Sequence, residues 1–288
     1  MSNPKILVTG SHGQLASELR DCARSYPGYD FIFLSRENIS ICNESSVKEY
    51  FEALRPQYCI NCAAYTAVDK AESEPETAFL VNGLATGFLA SASHLFQTKF
   101  IHISTDYVFN GTSDRPYNEE DPVDPVNVYG ASKLKGEQLA VQYNDQTIVI
   151  RTSWLFSTYG NNFVKSMIRL MKEKESLNIV NDQHGSPTYA ADLATMIFKM
   201  ITAAKWNPGI YHFSNKGVTT WFGLAEAIKQ LTSSDCRINP IPTSSYPTLA
   251  RRPHYSAFNT GKIETVYQTT IPGWREGLTK CIQKLEKG

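Results

Sequence analysis

The 288-residue sequence predicts an α/β fold, a doubly wound parallel sheet with a smaller C-terminal lobe. Three observations support this prediction. The chain opens with a strand, a glycine turn and a helix; apolar runs then alternate with helical patterns up to residue 151; and the alternation becomes irregular beyond that point. We expect residues 1–156 to form the sheet domain, with returning segments near 190–215, and residues 157–288 to form mainly the lobe.

The first unit indicates a dinucleotide site. Residues 5–9 are an apolar, β-branched run that stops at Gly10. Gly10 permits a tight turn, Gly13 lets the backbone approach a pyrophosphate, and the small Ala16 allows the following helix to pack on the strand. A plain βα turn is the alternative. The predicted cofactor contacts in this unit are Gly10, His12, Gly13, Gln14 and Leu15.

The second strand bears on the choice of cofactor. Residues 31–34 are followed by Ser35 and Arg36, at the distance from the glycines where an acid usually binds the ribose 2′-hydroxyl. A guanidinium suits a 2′-phosphate instead. The position therefore favours NADPH over NADH, and the alternative is that Arg36 is a solvated surface residue.

Two further strands bring polar and small residues to the same sheet edge. Residues 58–62 form the third strand, and Ala63, Ala64 and Tyr65 follow it, where small residues let backbone lie along a nicotinamide. A helical pattern over 76–96 precedes a fourth strand at 100–103, which leads into Ser104, Thr105 and Asp106. Ligands bind at this carboxyl edge in open parallel sheets.

A helix predicted over 128–141 carries the central pair of the site. Tyr129 and Lys133 are four residues apart and therefore lie on one face of the helix. A neighbouring ammonium favours the phenolate, so we expect Lys133 to lower the pKa of Tyr129. Such pairs also occur by chance on exposed helices. The glycine turn and the Ser104–Thr105 pair upstream favour the catalytic interpretation.

The second half of the chain is less regular. A fifth strand at 147–151 precedes Trp154, and helices are predicted at 163–172, 190–204 and 221–232, with a strand at 210–213. Arg251 and Arg252 are adjacent guanidiniums, which could clamp a diphosphate or form an ordinary solvated pair.

Composition excludes several classes of protein. The 28 basic and 28 acidic residues balance, and no basic block follows the pattern of a nucleic-acid interface. No apolar run has the length of a membrane span and no signal-peptide core opens the chain, so we expect a cytoplasmic protein. Six scattered cysteines argue against a disulfide framework, and Cys59 and Cys62 lie in an apolar run that indicates a buried strand, so we predict no metal there.

Taken together, these motifs resemble the extended short-chain dehydrogenase/reductases and, within them, the dTDP-4-dehydrorhamnose reductase family. The resemblance covers nearly the whole chain and rests on these segments: 10–15 (GSHGQL), 61–72 (NCAAYTAVDKAE), 104–109 (STDYVF), 127–130 (NVYG), 151–154 (RTSW), 160–163 (GNNF), 182–188 (DQHGSPT) and 252–253 (RP).

The resemblance implies a function and a set of roles. It implies reduction of dTDP-4-dehydro-L-rhamnose to dTDP-L-rhamnose with NADPH or NADH, in a homodimer with Mg²⁺ possible at its interface. Residues 1–156 would bind the cofactor and 157–288 the nucleotide sugar. Tyr129 would be the proton donor, Lys133 would hold the nicotinamide ribose, and Thr105 would bond the keto sugar. The other implied substrate contacts are Asp106, Trp154, Asn162 and Arg252.

Two positions depart from the family pattern, and two other functions are considered. Ala16 stands where many relatives have glycine, and Ser40, an implied cofactor contact, stands where an aspartate is common near the adenosine. A nucleotide-sugar dehydratase would need an acid at Tyr107. A non-catalytic subunit, such as the regulatory subunit of methionine adenosyltransferase, resembles the same fold, but intact Tyr129 and Lys133 favour an enzyme.

Overall fold

The structure, a computed structural model, describes residues 3–287. The strands of its large sheet fall in short, mainly apolar runs, as expected for strands that helices cover on both faces. In chain order they are β1 Lys5–Thr9, β2 Asp30–Leu34, β3 Tyr58–Asn61, β4 Lys99–Thr105, β5 Thr147–Thr152, β6 Leu155–Phe156, β7 Ser176–Val180, β8 His184–Gly185, β9 Thr188–Tyr189, β10 Gly209–Phe213, β11 Thr219–Thr220 and β12 Arg237–Ile241.

Six of these strands form one parallel sheet in the order β10-β5-β4-β3-β1-β2. The chain first moves outward from β1 to β2 and then returns to place β3 on the other side of β1. The direction of winding therefore reverses between β1 and β3. A crevice opens at such a switch point, beyond the carboxyl ends of the strands, and this is where ligands bind in open α/β sheets.

Helices cover both faces of the sheet, which confirms the predicted doubly wound fold. The helices are α1 Gln14–Ala23, α2 Glu44–Leu54, α3 Val68–Ala71, α4 Pro75–Ala78, α5 Ala85–Leu95, α6 Val128–Tyr143, α7 Phe163–Glu173, α8 Ala190–Thr202, α9 Trp221–Leu231, α10 Gly261–Tyr267 and α11 Trp274–Lys287. Apolar residues of α1 and α8 pack on one face of the sheet. Those of α2, α5 and α6 pack on the other face.

The helical segment Pro75–Leu95 is continuous, with a π-helical stretch, Phe79–Leu84, between α4 and α5. By length and composition alone it could cross a membrane. However, more than half of its apolar window is buried, and it packs against α2 and α6. The segment is therefore a core helix, and its apolar surface is buried mainly against other parts of the protein.

The C-terminal part of the chain has its own apolar cluster, formed around α7, α9 and α11. Its main ladder is a parallel pairing of β7 with β12, which the sequence pattern did not predict because the partners are some 60 residues apart. In contrast, β10 joins the main sheet beside β5. The division of the chain near residue 156 stays a prediction.

Candidate active site

The glycine turn lies at the switch point, beside the end of β3. Gly10 has φ +69°, and a Cβ there would lie 2.8 Å from the backbone nitrogen of Ala63. The turn continues to Gly13, which precedes α1, and among the described residues no side chain caps the first turn of this helix. The free N–H groups of a helix N-terminus suit an anion. The turn therefore fits the pyrophosphate of a dinucleotide.

We expect Gly10→Ala to weaken cofactor binding. An alanine must adopt the left-handed region at a cost of about 1–3 kcal/mol and must also push Ala63 away. Titration of the variant with NADPH, followed by fluorescence, should show a dissociation constant raised by about tenfold or more. Gly28→Ala is the matched control, because a Cβ at Gly28 meets nothing within 4 Å. Equal affinity in both variants would contradict this role for Gly10.

The other predicted cofactor contacts differ in burial and fall into three groups. Leu15 is buried in the sheet core, so only its backbone faces the turn. Ala63, Ala64 and Tyr65 are half-buried beyond the end of β3, and the Tyr65 N–H is held by the Asn82 side chain at 2.8 Å. The exposed members of the set are His12, Arg36 and Ser40. Their exposure leaves them open to a cofactor but does not test their roles.

The start of α6 is fixed by two local features. Asn127 caps the helix by accepting from the Gly130 N–H at 2.7 Å, and it donates to the Arg251 carbonyl at 2.8 Å. Gly130 packs directly on the Tyr107 carbonyl, where a Cβ has no room. Close packing at this point places the first turn of α6 against the end of β4. Tyr129 and Lys133 consequently lie over the carboxyl edge of the sheet.

Tyr129 meets Thr105 here, as the sequence predicts, but the electrostatic expectation is not met. Burial raises the pKa of Tyr129 to about 12, and hydrogen bonding to Thr105 offsets only part of this rise. The Lys133 Nζ donates instead to the Ile103 carbonyl at 2.6 Å. The predicted lowering of the phenol pKa by Lys133 is therefore absent from this structure, because desolvation of a phenolate outweighs the local partners.

Asp106 is buried beside Thr105. The Thr105 hydroxyl donates to Asp106 Oδ1 at 3.0 Å. Burial raises the pKa of Asp106 to about 6, although hydrogen bonds oppose the shift. Tyr107, the next residue, packs edge-on against Tyr129 with ring centroids 5.8 Å apart. A phenol thus occupies the position where a dehydratase would need a carboxylic acid. Burial also raises the pKa of Tyr107 above that of an ordinary tyrosine, which makes it a still weaker acid.

Trp154 lies at the boundary between the sheet and the lobe. It has φ +46°, an uncommon conformation for a bulky residue that concentrates at functional sites. Its ring stacks on Trp221 with centroids 3.7 Å apart and planes 8° apart. One face of the indole is therefore covered by protein, which limits the predicted stacking on substrate to the remaining surface.

Arg252 is already paired in this structure. Its guanidinium forms two 2.7 Å hydrogen bonds to the Asp69 carboxylate, and this bonding holds the pKa of Asp69 below its ordinary value. Its neighbour Arg251 is exposed. Both arginines line an open cavity of about 460 Å³ together with Asn110, Asp182, Tyr246 and His254. The charge of Arg252 is thus largely balanced by Asp69, which the sequence pattern did not reveal.

Asn162 has a structural role in addition to any role in binding. Its Oδ1 caps α7 by accepting from the Lys165 N–H at 3.0 Å, and its Nδ2 donates to Gln14 Oε1 at 2.9 Å. The side chain therefore ties the lobe to the glycine turn. Its predicted contact with substrate stays a prediction, since its hydrogen-bonding groups are already used within the protein.

No metal site can be assigned within the described residues of a single chain. Within residues 3–287, no three His, Cys, Asp or Glu side chains come together as a metal would require. The carboxylates of Glu18 and Asp21 on α1 are approached instead by the Lys284 ammonium, at 3.6 and 2.9 Å. The Mg²⁺ considered from the resemblance is therefore not supported. All six cysteines are free.

Fold and site together define the class of this protein. A doubly wound parallel sheet, a glycine turn at the switch point and a Tyr129–Lys133 pair on α6 over the end of β4 are the parts of a Rossmann-fold oxidoreductase of the short-chain dehydrogenase/reductase type. The chain belongs to the RmlD family, since the family model described as "RmlD substrate binding domain" matches residues 4–287.

Individual relatives agree with this assignment. The chain is 39% identical to the spore coat polysaccharide biosynthesis protein SpsK of Bacillus subtilis, over 97% of each chain. It is also 39% identical to a dTDP-4-dehydrorhamnose reductase of Burkholderia thailandensis, over 98% of this chain and 99% of that one. A crystal structure of dTDP-4-dehydrorhamnose reductase from Bacillus anthracis in complex with NADP superimposes with a TM-score of 0.95, at 39% identity, over 98% and 99% of the two chains. The chain is accordingly an NAD(P)H-dependent reductase.

Proposed function

We propose that the chain reduces dTDP-4-dehydro-L-rhamnose to dTDP-L-rhamnose, with hydride from NADPH and Tyr129 as the proton donor. The names of its relatives and the NADP bound in the Bacillus anthracis structure support the substrate and the cofactor. The observation that carries the proposal is the meeting of Tyr129 and Thr105 at the carboxyl end of β4, beside the glycine turn. The Tyr129 phenol and the Thr105 hydroxyl therefore lie where the nicotinamide of a bound cofactor would face the ketone of the substrate.

The bound cofactor supplies the hydride that reduces the C4 carbonyl. Because its pKa is near 12, the Tyr129 phenol keeps its proton at neutral pH and is ready to give it to the developing alkoxide. In the structure the Thr105 hydroxyl donates a hydrogen bond to Asp106 Oδ1, and on substrate binding it would turn this one donor to the same substrate oxygen. Lys133 would bind the nicotinamide ribose from the same helix face.

The substrate contacts form the second part of the proposal. Trp154 would pack against the sugar or the base with its uncovered surface, and Arg252 would contact the diphosphate at the rim of the 460 Å³ cavity. Asp69 would then act as the partner that orients the guanidinium, and Arg251 would add charge. Asn162 would support this arrangement by holding the lobe against Gln14.

A direct assay tests the proposed reaction. Purified protein is mixed with NADPH and dTDP-4-dehydro-L-rhamnose, and oxidation of NADPH is followed at 340 nm while the product is identified by mass spectrometry. We expect turnover, and weaker activity with the matching UDP sugar. Cofactor binding without any oxidation would support the non-catalytic alternative instead. Among residues 3–287, no contact specifically favours that alternative.

Arg36 should determine the preference for NADPH. It is exposed at the turn that follows β2, next to the glycine turn, where the Ser11 N–H bonds the Leu34 carbonyl at 3.0 Å. We expect Arg36→Ala to raise the KM for NADPH by about tenfold, because a charge-assisted phosphate contact is lost, and to leave the KM for NADH nearly unchanged. Equal changes with both cofactors would show that Arg36 is only a surface residue.

We further propose a cytoplasmic homodimer. Exposed apolar side chains lie on the paired helices at Leu80, Leu84, Val141 and Tyr143, with 38 to 50% of each exposed. The segment carrying the two leucines packs closely on α6. Such a surface is typical of an interface between copies.

The homodimer is tested by charge substitution. We expect Leu84→Glu to shift the protein from dimer to monomer in analytical ultracentrifugation, because a carboxylate would be buried in the interface. Leu249→Glu, at a more exposed apolar residue outside this surface, is the control. A wild-type monomer at micromolar concentration would refute the interface.

A further inference from the structure

Two residues of the C-terminal part hold the Trp154 indole in place. Trp221, the first residue of α9, stacks on one face of it. Gly185 on β8 lies against the edge of the ring, where a Cβ would come within 2.6 Å of Trp154 Cε2. Since β8 pairs with β11 and β11 leads directly into α9, one short ladder places both contacts. The position of Trp154 therefore depends on the position of Trp221.

Trp154 lies on the sugar side of the proposed site. It is two residues beyond Thr152, which is the register partner of Thr105, the proposed contact of the ketone. Arg252, the proposed contact of the diphosphate, belongs to a different segment and lines the cavity of about 460 Å³. A nucleotide sugar would therefore touch two segments that are far apart in the chain.

A row of hydrogen bonds connects these two segments through Gln183. The Trp221 Nε1–H donates to Gln183 Oε1 at 3.2 Å. At the other end of the same amide, Gln183 Nε2 donates to the Thr243 hydroxyl oxygen at 3.0 Å. The Thr243 hydroxyl gives its own proton to Asp182 Oδ1 at 2.6 Å. All three bonds donate in the same direction, from the indole towards the carboxylate.

The neighbours of Gln183 permit one orientation of its amide. An indole N–H can only donate, so Trp221 requires the amide oxygen. Reversing the amide would place two donors against each other at Trp221 and would force the Thr243 proton away from Asp182. Gln183 is 8% exposed, so water does not readily replace these partners. An amide is needed here because it accepts at one end and donates at the other.

Thr243 is the first residue of the loop 243–252, which lines much of the cavity and carries Arg252. The Asp182 carboxylate holds this end of the loop, since it also accepts from the Thr243 N–H at 2.9 Å. The other end is held by the Asp69 carboxylate through its two bonds to Arg252. A displacement of Thr243 is therefore passed along a loop that is fixed at both ends.

We propose that Gln183 is a positioning residue that links the two substrate contacts Trp154 and Arg252. It acts on the first through the ring of Trp221 and on the second through the loop 243–252. This role rests on the proposed function, in which the two residues contact the sugar and the diphosphate. The link fixes the spacing between these contacts before the ligand arrives, so a nucleotide sugar that spans both is bound with less loss of conformational freedom.

Nuclear magnetic resonance of the ligand-free protein tests the link without any substrate. The chain has four tryptophans, so its indole N–H signals are few, and Trp221→Phe identifies that of Trp221. We expect Thr243→Val, which removes the hydroxyl at the far end of the row, to shift the Trp221 signal. The same substitution made in Gln183→Met protein should produce no further shift. An unmoved Trp221 signal in folded Thr243→Val protein would overturn the proposal.

Thr248→Val is the matched control for this measurement. Thr248 belongs to the same loop, but its hydroxyl donates to the Ala250 carbonyl at 2.9 Å. We expect this variant to leave the Trp221 signal where it is. A shift as large as that of Thr243→Val would mean that the loop reaches Trp221 by another route, and it would also overturn the role of Gln183.

Calorimetric titration tests the consequence for binding, with NADP⁺ present throughout. Gln183→Met keeps the length of the side chain but removes both hydrogen bonds. We expect the dissociation constant for dTDP-L-rhamnose, which spans both contacts, to rise by about tenfold, and that for dTDP, which lacks the sugar, to rise by less than about twofold. Gln230→Met, at an exposed glutamine on α9, should change neither value. An equal rise for both ligands would show a general effect on the site and would contradict the link.

The two proposals can fail separately. A Trp221 signal that responds to Thr243→Val only when Gln183 is present, in a protein that binds neither ligand, would support the link and count only against the proposed function. Turnover with the proposed sugar in a protein whose Trp221 signal ignores Thr243→Val would count only against the role of Gln183.

Discussion

Tyr129→Phe should lower kcat by about 10²- to 10⁴-fold, the range that a positioned proton donor contributes. The substitution removes one oxygen and keeps the ring that packs against Tyr107, so the site should keep its shape. The dissociation constant for NADPH should change little, since the glycine turn and the start of α1 are untouched. Steady-state turnover and a fluorescence titration on the same preparation measure the two effects.

Tyr107→Phe is the matched control for this experiment. Its ring lies 5.8 Å from that of Tyr129, so it reports the effect of losing a phenol near the site but outside the proposed chemistry. We expect it to retain most of the turnover. If Tyr129→Phe were nearly as active as the wild-type protein, another group would have to deliver the proton and the mechanism would be abandoned.

Arg151→Met should cause the largest loss of stability. Arg151 and Glu137 form an ion pair in which each side chain is 3% exposed, with three hydrogen bonds between them of 2.7 to 3.2 Å. Removing the arginine leaves the buried Glu137 carboxylate without its hydrogen-bonded guanidinium, which costs about 3–5 kcal/mol. Urea denaturation monitored by circular dichroism should show this decrease in the free energy of unfolding.

Arg169→Met provides the comparison. Arg169 pairs with Glu173 one turn along α7, and both side chains are more than half exposed. Water solvates the glutamate when the arginine is removed, so the loss should be below about 0.5 kcal/mol. Similar losses in the two variants would show that burial does not determine the strength of the Arg151–Glu137 pair.

Features that depend on neighbouring residues could be predicted from the sequence. An apolar run and the glycine that ends it indicated β1 at its observed bounds, since such patterns act within a few residues. The fourth strand was predicted to end at residue 103, but it continues to Thr105, because pairing with β5 extends the ladder. The spacing that places Tyr129 and Lys133 on one face also follows from helix geometry alone.

Of the other contacts at the site, only some could have been predicted from the sequence. The Asn127 cap of α6 has the residue type expected at a helix start. However, nothing in the sequence indicates that Asn82 on the π-helical stretch bonds the Tyr65 backbone and the Ser132 hydroxyl. The partners of Arg252 and Asn162 were equally hidden, because Asp69 and Gln14 are more than 140 residues away in the chain.

The sequence by itself determined the parallel fold, the glycine turn and the pairing of phenol and amine on one helix. Only the tertiary structure decided how burial shifts the pKa values within the site, upward for Tyr129 and downward for Lys133. The physical reason is that helix and strand patterns are local. Desolvation and hydrogen-bond direction depend on which strands lie side by side, and that arrangement exists only in the folded chain.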